Sequence, residues 1–571
     1  MDVKVSYEQW TKNATEDKDL IKELQEIKKD ENAIYDRFYR SLEFGTAGLR
    51  GIIGAGTNRM NIYTVRQTTQ GLADYLNSKY KSSRVAIAYD SRIKSDIFAK
   101  EAACVLAANG IKVYFNNTLQ PTPVLSFAVR NFNCQAGIMI TASHNPAKYN
   151  GYKCYGEDGS QLSDKPAEDV YKKIQAVDIF SGVKTCDFDE AVKKGSILFI
   201  GNNFYNSYIE NVKKQRINKN ICNETNLKVV YTPLNGAGNK LVRRVLNEIG
   251  VKDISVVKEQ ENPDGTFKTC PYPNPELREA LNLALKLAEK AKPDLVLATD
   301  PDSDRVGIAV KAKDSYKLMT GNEVGIVLID YILSQRKELN TLPENPIAIK
   351  TIVSSELVRC ICDKYGCELI DVLTGFKYIG DQILKLEQKD ETYRFVFGFE
   401  ESYGYLAGTY VRDKDAVVAS MLICEMAAYY KKQGKTLIDV MDDIYKEHGY
   451  YKNTTLSFDF EGAKGMEKMQ KMMNSLRENP PKSISKMKVT QISDYSTSTC
   501  IDVKSDKKSK INLPKSNVIA LALDSGCSLI VRPSGTEPKI KIYITAVSDN
   551  MKNAESVTNS MTDDIKKILG I

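Results

Sequence analysis

The sequence lacks an apolar run long enough to cross a bilayer, which takes about 18 residues. The nearest candidate, Ala416 to Tyr430, is interrupted by Glu425 and predicts a buried helix instead. The N-terminus also lacks a basic-then-apolar leader, since acidic and basic residues alternate there from Glu16 onward. These absences predict a cytoplasmic protein with no membrane partner.

A strong excess of charge of one sign is missing as well. The 571 residues carry 80 Lys and Arg against 73 Asp and Glu, a net charge of +7. Basic residues are spread out, apart from short runs such as Lys504 to Lys510. A nucleic-acid-binding face would concentrate them. The composition therefore predicts no nucleic-acid partner and suits a small anionic substrate.

The twelve cysteines show no disulfide framework, and reduced thiols are expected in the cytosol. Cys360, Cys362 and Cys367 are clustered, so a zinc site must be considered. They lack a spaced second pair, and the two histidines of the chain, His144 and His448, are distant in sequence. Buried structural thiols are the favoured interpretation, because free cysteine packs as a small hydrophobe.

A strand–loop–helix rhythm dominates the first three quarters of the chain. Val85 to Tyr89 is a β-prone run that leads into Asp90-Ser-Arg92. A helix is expected from about Asp96, with Ser95 as its N-cap and Gly110 as its stop. The same alternation recurs twice further on. It predicts three related α/β units with mostly parallel sheets, whose ligands bind at the carboxyl ends of the strands.

The sequence pattern changes after about Tyr450. Alternating segments, a Pro480-Pro481 break and a Ser/Lys-rich stretch predict a smaller α+β domain. The length of the chain also suggests about four domains. The predicted domains are residues 1–200, 201–315, 316–450 and 451–571.

Ser143 lies in the run GIMITASHNP, where an apolar strand ends in a polar loop. An ordinary loop serine is the alternative to a nucleophile. Ala142 and His144 flank it, so it is not the Gly-x-Ser-x-Gly elbow of a hydrolase. The adjacency of His144 does not by itself make that residue a base. A serine that carries a phosphoryl group mainly needs electrostatic stabilisation of the phosphate.

Asp300, Asp302 and Asp304 lie on a short loop between two apolar strands and can converge on one hard cation. A calcium-binding EF-hand would need Gly at the sixth loop position and Glu at the twelfth, where this chain has Arg305 and Lys311. A solvated acidic turn is the other alternative. Magnesium usually takes few protein carboxylates, which favours an ion whose remaining ligand is a phosphoserine oxygen.

Two further loops could bind a phosphorylated sugar. In RPSGTEPK, beginning at Arg532, small polar residues at a turn can form an anion nest, and the guanidinium suits phosphate. An ordinary turn remains possible there. In GFEESYGY, Glu400 and Ser402 could bind sugar hydroxyls, although spacing alone favours a solvent-exposed loop.

The motifs FGTAGLRG, TASHNP, DPDSDR, TGFKYIG, GFEESYGY and RPSGTEPK occur in this order along the chain. In this respect the sequence closely resembles the α-D-phosphohexomutases, and among them the phosphoglucomutase branch that includes phosphopentomutase-like members. The resemblance covers essentially the whole chain. It implies a heart-shaped α/β molecule with three related α/β domains and a smaller C-terminal α+β domain around a central cleft.

The resemblance also implies the site residues. Ser143 would be the phosphoserine, and the three aspartates would hold Mg²⁺ together with an oxygen of its phosphate. The remaining roles are contacts with the reacting phosphate for Arg50 and Arg305, acid/base catalysis for Lys153, sugar binding for Glu400, Ser402 and Lys377, and a clamp for the second phosphate formed by Arg532, Ser534, Gly535 and Thr536.

The implied reaction interconverts glucose 1-phosphate and glucose 6-phosphate, with glucose 1,6-bisphosphate as bound intermediate and activator. Glu400-Glu401-Ser402 resembles the glucose-preferring members. Phosphopentomutase or phosphomannomutase activity is the enzymatic alternative, and a non-catalytic paralogue is the other. Either a monomer or a homodimer is expected. Two departures from the family pattern are noted. Pro301 and Ser303 stand where many relatives have glycines, and Asn235 stands where close relatives often have histidine.

Overall fold

The computed structural model describes residues 2–45, 48–313, 315–460, 462–534 and 539–571. These residues form two compact units. The first contains the described residues through Thr320 together with Ile379–Phe397 and Ser402–Thr436. The second contains Gly321–Tyr378, Gly398–Glu401 and the described residues from Leu437 onward. Among the described residues, no helix is both long and apolar enough to span a membrane.

The first two hundred residues build one mixed sheet with helices packed on it. Its elements are α1 (Val3–Asn13), α2 (Lys18–Glu26), α3 (Glu31–Phe38), β1 (Leu49–Ile52), α4 (Ile62–Lys79), β2 (Arg84–Tyr89), α5 (Ser95–Ala108), β3 (Lys112–Phe115), α6 (Thr122–Asn131), β4 (Ala136–Ile140), β5 (Tyr149–Gly156), α7 (Asp164–Gln175), α8 (Phe188–Lys193) and β6 (Ile197–Phe199).

The strand order of this sheet is β1-β5-β4-β2-β3-β6. The four strands β4, β2, β3 and β6 are parallel, as the alternation predicts. β5 and β1 are antiparallel additions at one edge. β4 is buried at every position, which explains its unbroken apolar sequence.

The start of α5 differs from the prediction that Ser95 is its N-cap. Ser95 is already the first helical residue, and the cap position is held by Lys94 in a left-handed conformation, at φ +62°. The hydroxyl of Ser95 donates instead to Asp90, at 2.8 Å. The predicted stop is confirmed, since the helix ends at Ala108 and Gly110 has φ +76°.

A second mixed sheet follows in the same unit, with strand order β11-β10-β9-β7-β8. Strands β7, β8 and β9 are parallel, whereas β10 and β11 are antiparallel. The elements of this region are α9 (Asn202–Lys213), α10 (Ile221–Glu224), β7 (Lys228–Thr232), α11 (Asn239–Glu248), β8 (Asp253–Val256), α12 (Lys258–Glu261), α13 (Asn282–Ala291), β9 (Leu295–Thr299), β10 (Val306–Ala312) and β11 (Ser315–Met319).

The next region continues the α/β alternation. Strands β12 and β13 pair in parallel. The apolar helix predicted from Ala416 is α17, and it is buried along nearly its whole length. The elements are α14 (Gly321–Glu338), β12 (Ile347–Thr351), α15 (Leu357–Tyr365), β13 (Glu368–Val372), α16 (Phe376–Glu387), β14 (Phe395–Glu400), β15 (Gly404–Leu406), α17 (Ala416–Lys432) and α18 (Leu437–His448).

The C-terminal region is an antiparallel sheet with two long helices, in agreement with the predicted α+β domain. Its apolar core lies between the sheet and the helices α19 and α20. The elements are β16 (Tyr450–Asp459), α19 (Gly462–Glu478), β17 (Ser483–Ile484), β18 (Met487–Asp494), β19 (Thr499–Asp502), β20 (Lys508–Lys510), β21 (Ile519–Leu523), β22 (Ser528–Pro533), β23 (Lys539–Ser548) and α20 (Met551–Leu569). The α/β class is confirmed; the exact domain boundaries stay a prediction.

Candidate active site

Three strand ends of the first unit carry polar loops that meet. β4 leads into the loop of Ser143, β2 into Asp90, and β9 into Asp300. Each strand runs parallel to a neighbour, so their carboxyl ends lie at one edge of their sheets. The Ser143 Oγ donates a hydrogen bond to Asp300 Oδ2 at 2.9 Å. The structure therefore brings the predicted serine and the predicted metal loop together.

Ser143 is buried and has a left-handed backbone, at φ +52°. Its N–H donates to Thr141 Oγ1 at 2.8 Å. Its Oγ lies 3.3 Å from Nδ1 of the neighbouring His144. Burial, reinforced by the charges of Arg305 and Arg50, holds the pKa of His144 well below its ordinary value. That imidazole is therefore neutral.

The side chains of Asp300, Asp302 and Asp304 are buried, and one oxygen from each lies within 4.8 Å of the others. The Oδ1 of Asp300 accepts the N–H groups of Asp304 (3.1 Å) and Arg305 (3.0 Å). These bonds fold the loop tightly and turn the other oxygen of Asp300 to the serine.

One oxygen of each remaining aspartate is held by cationic or hydroxyl donors. Asp302 Oδ2 accepts from Thr122 Oγ1 and Lys153 Nζ, both at 2.8 Å. Asp304 Oδ2 lies 3.3 Å from Lys153 Nζ and 3.2 Å from Lys414 Nζ. The predicted acid/base residue Lys153 is thus placed against two of the three predicted metal ligands.

The second oxygens, Oδ1 of Asp302 and Oδ1 of Asp304, are buried and have no hydrogen-bond partner among the described residues. Buried carboxylate oxygens without partners are costly unless a cation binds them. Among those residues, this triad is the one group of metal-ligating side chains found together. Oxygen-only ligands of this kind fit a hard divalent cation.

The titration behaviour reflects the crowding of these charges. Burial, with the charges of Asp302 and Asp304, raises the pKa of Asp300 well above its ordinary value. Burial alone would also raise the pKa of Asp304, but the ammonium groups of Lys414 and Lys153 outweigh it and lower that pKa. The carboxylates of Asp302 and Asp304 outweigh burial at Lys153 and raise its pKa, so Lys153 is a cation.

The two predicted phosphate-binding arginines lie at the margin of this cluster. Arg50, on β1, donates to Asn145 Oδ1 at 3.3 Å. Asn145 belongs to the serine loop, residues 141–149, which joins β4 to β5. Arg305 forms an ion pair with Glu276 at 2.9 Å and lies 3.7 Å from Asp304 Oδ1.

The predicted sugar and distal-phosphate residues are divided between the two units. Ser402 belongs to the first; Lys377, Glu400, Arg532 and Ser534 belong to the second. Glu400 is buried at the end of β14. Gly535 and Thr536 lie outside the described residues.

Within the second unit, Glu401 lies close enough to Glu400 and Arg532 for their charges to interact. Burial and the charge of Glu400 raise the pKa of Glu401, whereas Lys541 and Arg532 oppose that rise. Lys377 Nζ lies 4.8 Å from the ring centroid of Tyr378.

Sequence reasoning missed several residues that support the site. Thr122, at the start of α6, and Lys414 hold the aspartates, as described above. Asp90 and Arg92 lie under the serine loop. Asp90-Ser-Arg92 did carry a signal, because it follows a strand at its carboxyl end. Thr122 carried no comparable signal.

The clustered cysteines are placed as predicted for packing residues. Cys362 and Cys367 are buried, and Cys360 is half-buried. The hydrogen bond between the Cys362 thiol and Cys367, together with burial, raises the pKa of Cys362 far above its ordinary value, so that it is a thiol. The departure at Asn235 is also structural: its amide donates to the carbonyl of Asn262 at 2.7 Å.

Comparison with known proteins agrees with this architecture. The α/β/α domains I, II and III of phosphoglucomutase/phosphomannomutase match residues 41–179, 206–313 and 320–448. The phosphoglucomutase of Staphylococcus aureus (strain USA300) is 39% identical over 556 residues, which is 97% of this chain and 98% of that protein.

Solved structures show the same fold. The open form of the phosphoprotein pp63/parafusin, a phosphoglucomutase from Paramecium, aligns with a TM-score of 0.67 at 17% identity, over 93% of this chain and 96% of its own. An Aspergillus fumigatus N-acetylphosphoglucosamine mutase, solved with glucose 1,6-bisphosphate, aligns with a TM-score of 0.50 at 14% identity, over 92% of this chain and 95% of its own. The chain belongs to the phosphoglucomutase/phosphomannomutase family of the α-D-phosphohexomutases.

Proposed function

We propose that the protein is a phosphoglucomutase that interconverts glucose 1-phosphate and glucose 6-phosphate through a phosphorylated Ser143. The observation that carries this proposal is the 2.9 Å hydrogen bond between Ser143 Oγ and Asp300. Asp300 belongs to a triad in which two buried carboxylate oxygens have no hydrogen-bond partner among the described residues. The Staphylococcus relatives named phosphoglucomutase, similar over nearly the whole chain, support the choice of glucose. Glucose 1,6-bisphosphate is the proposed intermediate and activator.

Mg²⁺ is the proposed cation, held by Asp300, Asp302 and Asp304 with an oxygen of the phosphoserine. When bound, it supplies positive charge that stabilises the phosphate during transfer. The protein already holds the far oxygens of Asp302 and Asp304 through Thr122 and Lys153. Those carboxylates are therefore oriented before the ion arrives.

The transfer exchanges one phosphorus–oxygen bond for another. A free sugar hydroxyl attacks the phosphorus, the bond to Ser143 Oγ breaks, and Oγ keeps the electron pair. The sugar hydroxyl loses a proton and Oγ requires one. Lys153 is the proposed acid/base group for these proton movements, and Arg50 and Arg305 are the proposed contacts with the transferring phosphate.

The bisphosphate must then turn end for end, so that its other phosphate returns to the serine. Glu400, Ser402 and Lys377 are the proposed sugar-binding residues. Arg532, Ser534, Gly535 and Thr536 are proposed to hold the phosphate that is not being transferred. Backbone donors and arginine suit this task because they recognise phosphate rather than the sugar. We further propose a cytoplasmic location and either a monomer or a homodimer.

A substrate panel tests the choice of sugar. Purified protein with Mg²⁺ and glucose 1,6-bisphosphate is assayed separately with the 1-phosphates of glucose, mannose, ribose and glucosamine. Glucose 1-phosphate is expected to give the highest kcat/KM. A higher value with ribose 1-phosphate would make the protein a phosphopentomutase, and a higher value with mannose 1-phosphate a phosphomannomutase.

Ser143→Ala tests the phosphoserine. Intact-mass analysis is expected to show about one phosphate on the wild-type protein after incubation with glucose 1,6-bisphosphate and none on the variant, whose mutase activity is lost. Ser126→Ala is the matched control, because Ser126 is another buried serine of the first unit, bonded to Gly159. Full activity in Ser143→Ala would remove this serine from the proposed role.

A further inference from the structure

Two buried charged residues below the serine loop have no part in the chemistry described so far. Asp90 is 2% exposed and Arg92 is 3% exposed, and both follow the carboxyl end of β2. Arg92 Nε lies 3.3 Å from Asp90 Oδ2. Burying such a pair is costly, so its surroundings indicate what it does.

Arg92 binds the backbone of the serine loop. Its Nη2 donates to the carbonyl oxygens of Ser143 and Asn145, and its Nη1 donates to those of Pro146 and Tyr149, both at 3.1 Å. Four carbonyl groups of one loop thus converge on one guanidinium. A planar fork with five N–H donors can satisfy this arrangement, and an ammonium group cannot.

Asp90 reaches the other side of the same serine through Thr141. Thr141 Oγ1 donates to Asp90 Oδ2 at 2.6 Å and accepts the N–H of Ser143 at 2.8 Å. The remaining oxygen of Asp90 accepts from the N–H of Arg92 and the hydroxyl of Ser95. The N–H and the C=O of Ser143 are therefore both tied to the Asp90–Arg92 pair.

The backbone of Ser143 needs such support. A residue with a Cβ atom rarely adopts its φ of +52° without external contacts. We propose that Asp90, Arg92 and Thr141 form a backbone clamp that fixes Ser143 in this left-handed conformation and so aims Oγ at the metal loop. The clamp rests on the proposed function, and its three members are positioning residues for the transfer.

A loop of the second sheet closes the clamp. The ring of Phe267 lies 5.1 Å from the guanidinium carbon of Arg92. Gly265 forms a backbone bridge with Arg92, and a Cβ atom at Gly265 would lie 2.5 Å from the backbone nitrogen of Ile93. This close approach leaves no space for a side chain at position 265.

Two conservative variants each weaken one side of the clamp. Arg92→Lys keeps the positive charge but loses the planar guanidinium that donates to the loop carbonyls. Thr141→Val keeps the shape of the side chain but loses the hydrogen bonds to Asp90 and to the N–H of Ser143. Because a small misplacement of a reacting group can cost roughly 10²-fold in rate, we expect kcat and the rate of Ser143 phosphorylation by glucose 1,6-bisphosphate to fall about 10- to 100-fold. The KM for glucose 1-phosphate should stay within about twofold, since no substrate contact changes.

Matched controls separate positioning from general destabilisation. Arg59→Lys alters another buried arginine that donates to a backbone carbonyl, at 2.9 Å, and Thr68→Val removes another buried hydroxyl–carbonyl bond, at 2.7 Å. Both control variants should keep kcat within about twofold of wild type, although their Tm should fall about as much as that of Arg92→Lys and Thr141→Val. In the double variant Arg92→Lys/Thr141→Val, the fold-decrease in kcat should be smaller than the product of the two single decreases, because Arg92 and Thr141 both hold the backbone of Ser143.

The clamp is wrong if kcat in Arg92→Lys and Thr141→Val falls no further than in the controls. Failure of the wild-type protein to take phosphate from glucose 1,6-bisphosphate would instead overturn the proposed function. Hydrogen exchange then still tests the clamp. Amides of residues 141–149 should exchange at least about tenfold faster in Arg92→Lys than in Arg59→Lys, and equal rates would refute it.

Discussion

Two serines of the candidate active site, Ser143 and Ser303, share a left-handed backbone, at φ +52° and +53°. The conformation costs a residue with a Cβ atom roughly 1–2 kcal/mol. Ser143 contributes its hydroxyl to the site. The hydroxyl of Ser303 is buried and has no hydrogen-bond partner among the residues that the structure describes. Ser303 is therefore strained, although its hydroxyl makes no hydrogen bond to the described residues.

Replacing Ser303 should therefore depend on backbone strain rather than on lost contacts. Because glycine adopts this φ without strain, Ser303→Gly is expected to leave the free energy of unfolding equal to or above that of wild type, whereas the β-branched Ser303→Val should cost about 2–3 kcal/mol. Urea unfolding measures both. Ser420→Gly is the control, because Ser420 also has a buried, unpartnered hydroxyl among the described residues but lies inside α17. There glycine should cost about 1 kcal/mol. Equal losses for the two glycine variants would contradict the strain argument.

The sequence could predict those site residues whose side-chain type suggests a function, but not those whose partners are backbone atoms. Ser143 and the aspartates could be predicted as candidates because a hydroxyl and three carboxylates are the side-chain types that the proposed chemistry needs. Arg92 could not, because its partners are backbone carbonyls, which every residue possesses. The type of a residue in the sequence does not reveal whether its backbone carbonyl accepts a hydrogen bond.

Among the elements, strands β2, β4 and β9 were predictable from apolar runs that end in polar loops. The direction of β1 and β5 was not, because a buried strand has the same composition whether it runs parallel or antiparallel. The start of α5 was misplaced by one residue. A serine at the right spacing predicts an N-cap, but Lys94 adopts the left-handed conformation and Ser95 is used by Asp90.

Helix α14 contains a carboxyl group that should make stability depend on pH. Burial raises the pKa of Asp330 to about 6, with Glu447 adding to the rise and Lys364 opposing it. The unfolded chain loses this proton near pH 4, whereas the folded chain keeps it until about pH 6. The contribution of Asp330 to stability should therefore fall as pH rises from about 4 to 6 and stay lower above that range.

Asp330→Asn removes this ionisation. At pH 8 the variant should be more stable than wild type by on the order of 2 kcal/mol, with no advantage at pH 4. Thermal unfolding between pH 4 and pH 8 measures the difference. Asp563→Asn, on the exposed surface of α20, is the control. A stability gain that is the same at both pH values would exclude ionisation as its cause.

At the scale of the whole molecule, the ordered motifs predicted the family, and the comparisons confirm it. The positions of the domain boundaries and the roles of all the predicted site residues, from Arg50 to Thr536, remain predictions. Those roles depend on a substrate, and a ligand's position is not encoded in the spacing of the residues that bind it.

Cation binding should stabilise the whole chain, because the folded protein presents three buried carboxylates together and the unfolded chain does not. Adding Mg²⁺ at 100 times its dissociation constant to chelator-treated protein should add about 2.7 kcal/mol, seen as a rise in Tm. Asp302→Asn should greatly reduce that rise, and Asp253→Asn, an exposed change, should not. An equal rise in all three proteins would place the ion elsewhere.

The serine loop and Arg92 contact residues that the ribosome synthesises much later than the loop itself. The Ser143 hydroxyl bonds to Asp300, 157 positions downstream, and Phe267 covers Arg92. At typical rates of synthesis this separation corresponds to roughly 8–30 s on the ribosome. The first sheet of the nascent chain can thus form before the loop of Asp300 to Asp304 has been synthesised. We expect that chains ending before residue 300 fold in part but cannot be phosphorylated, so that an incomplete product does not consume sugar phosphate.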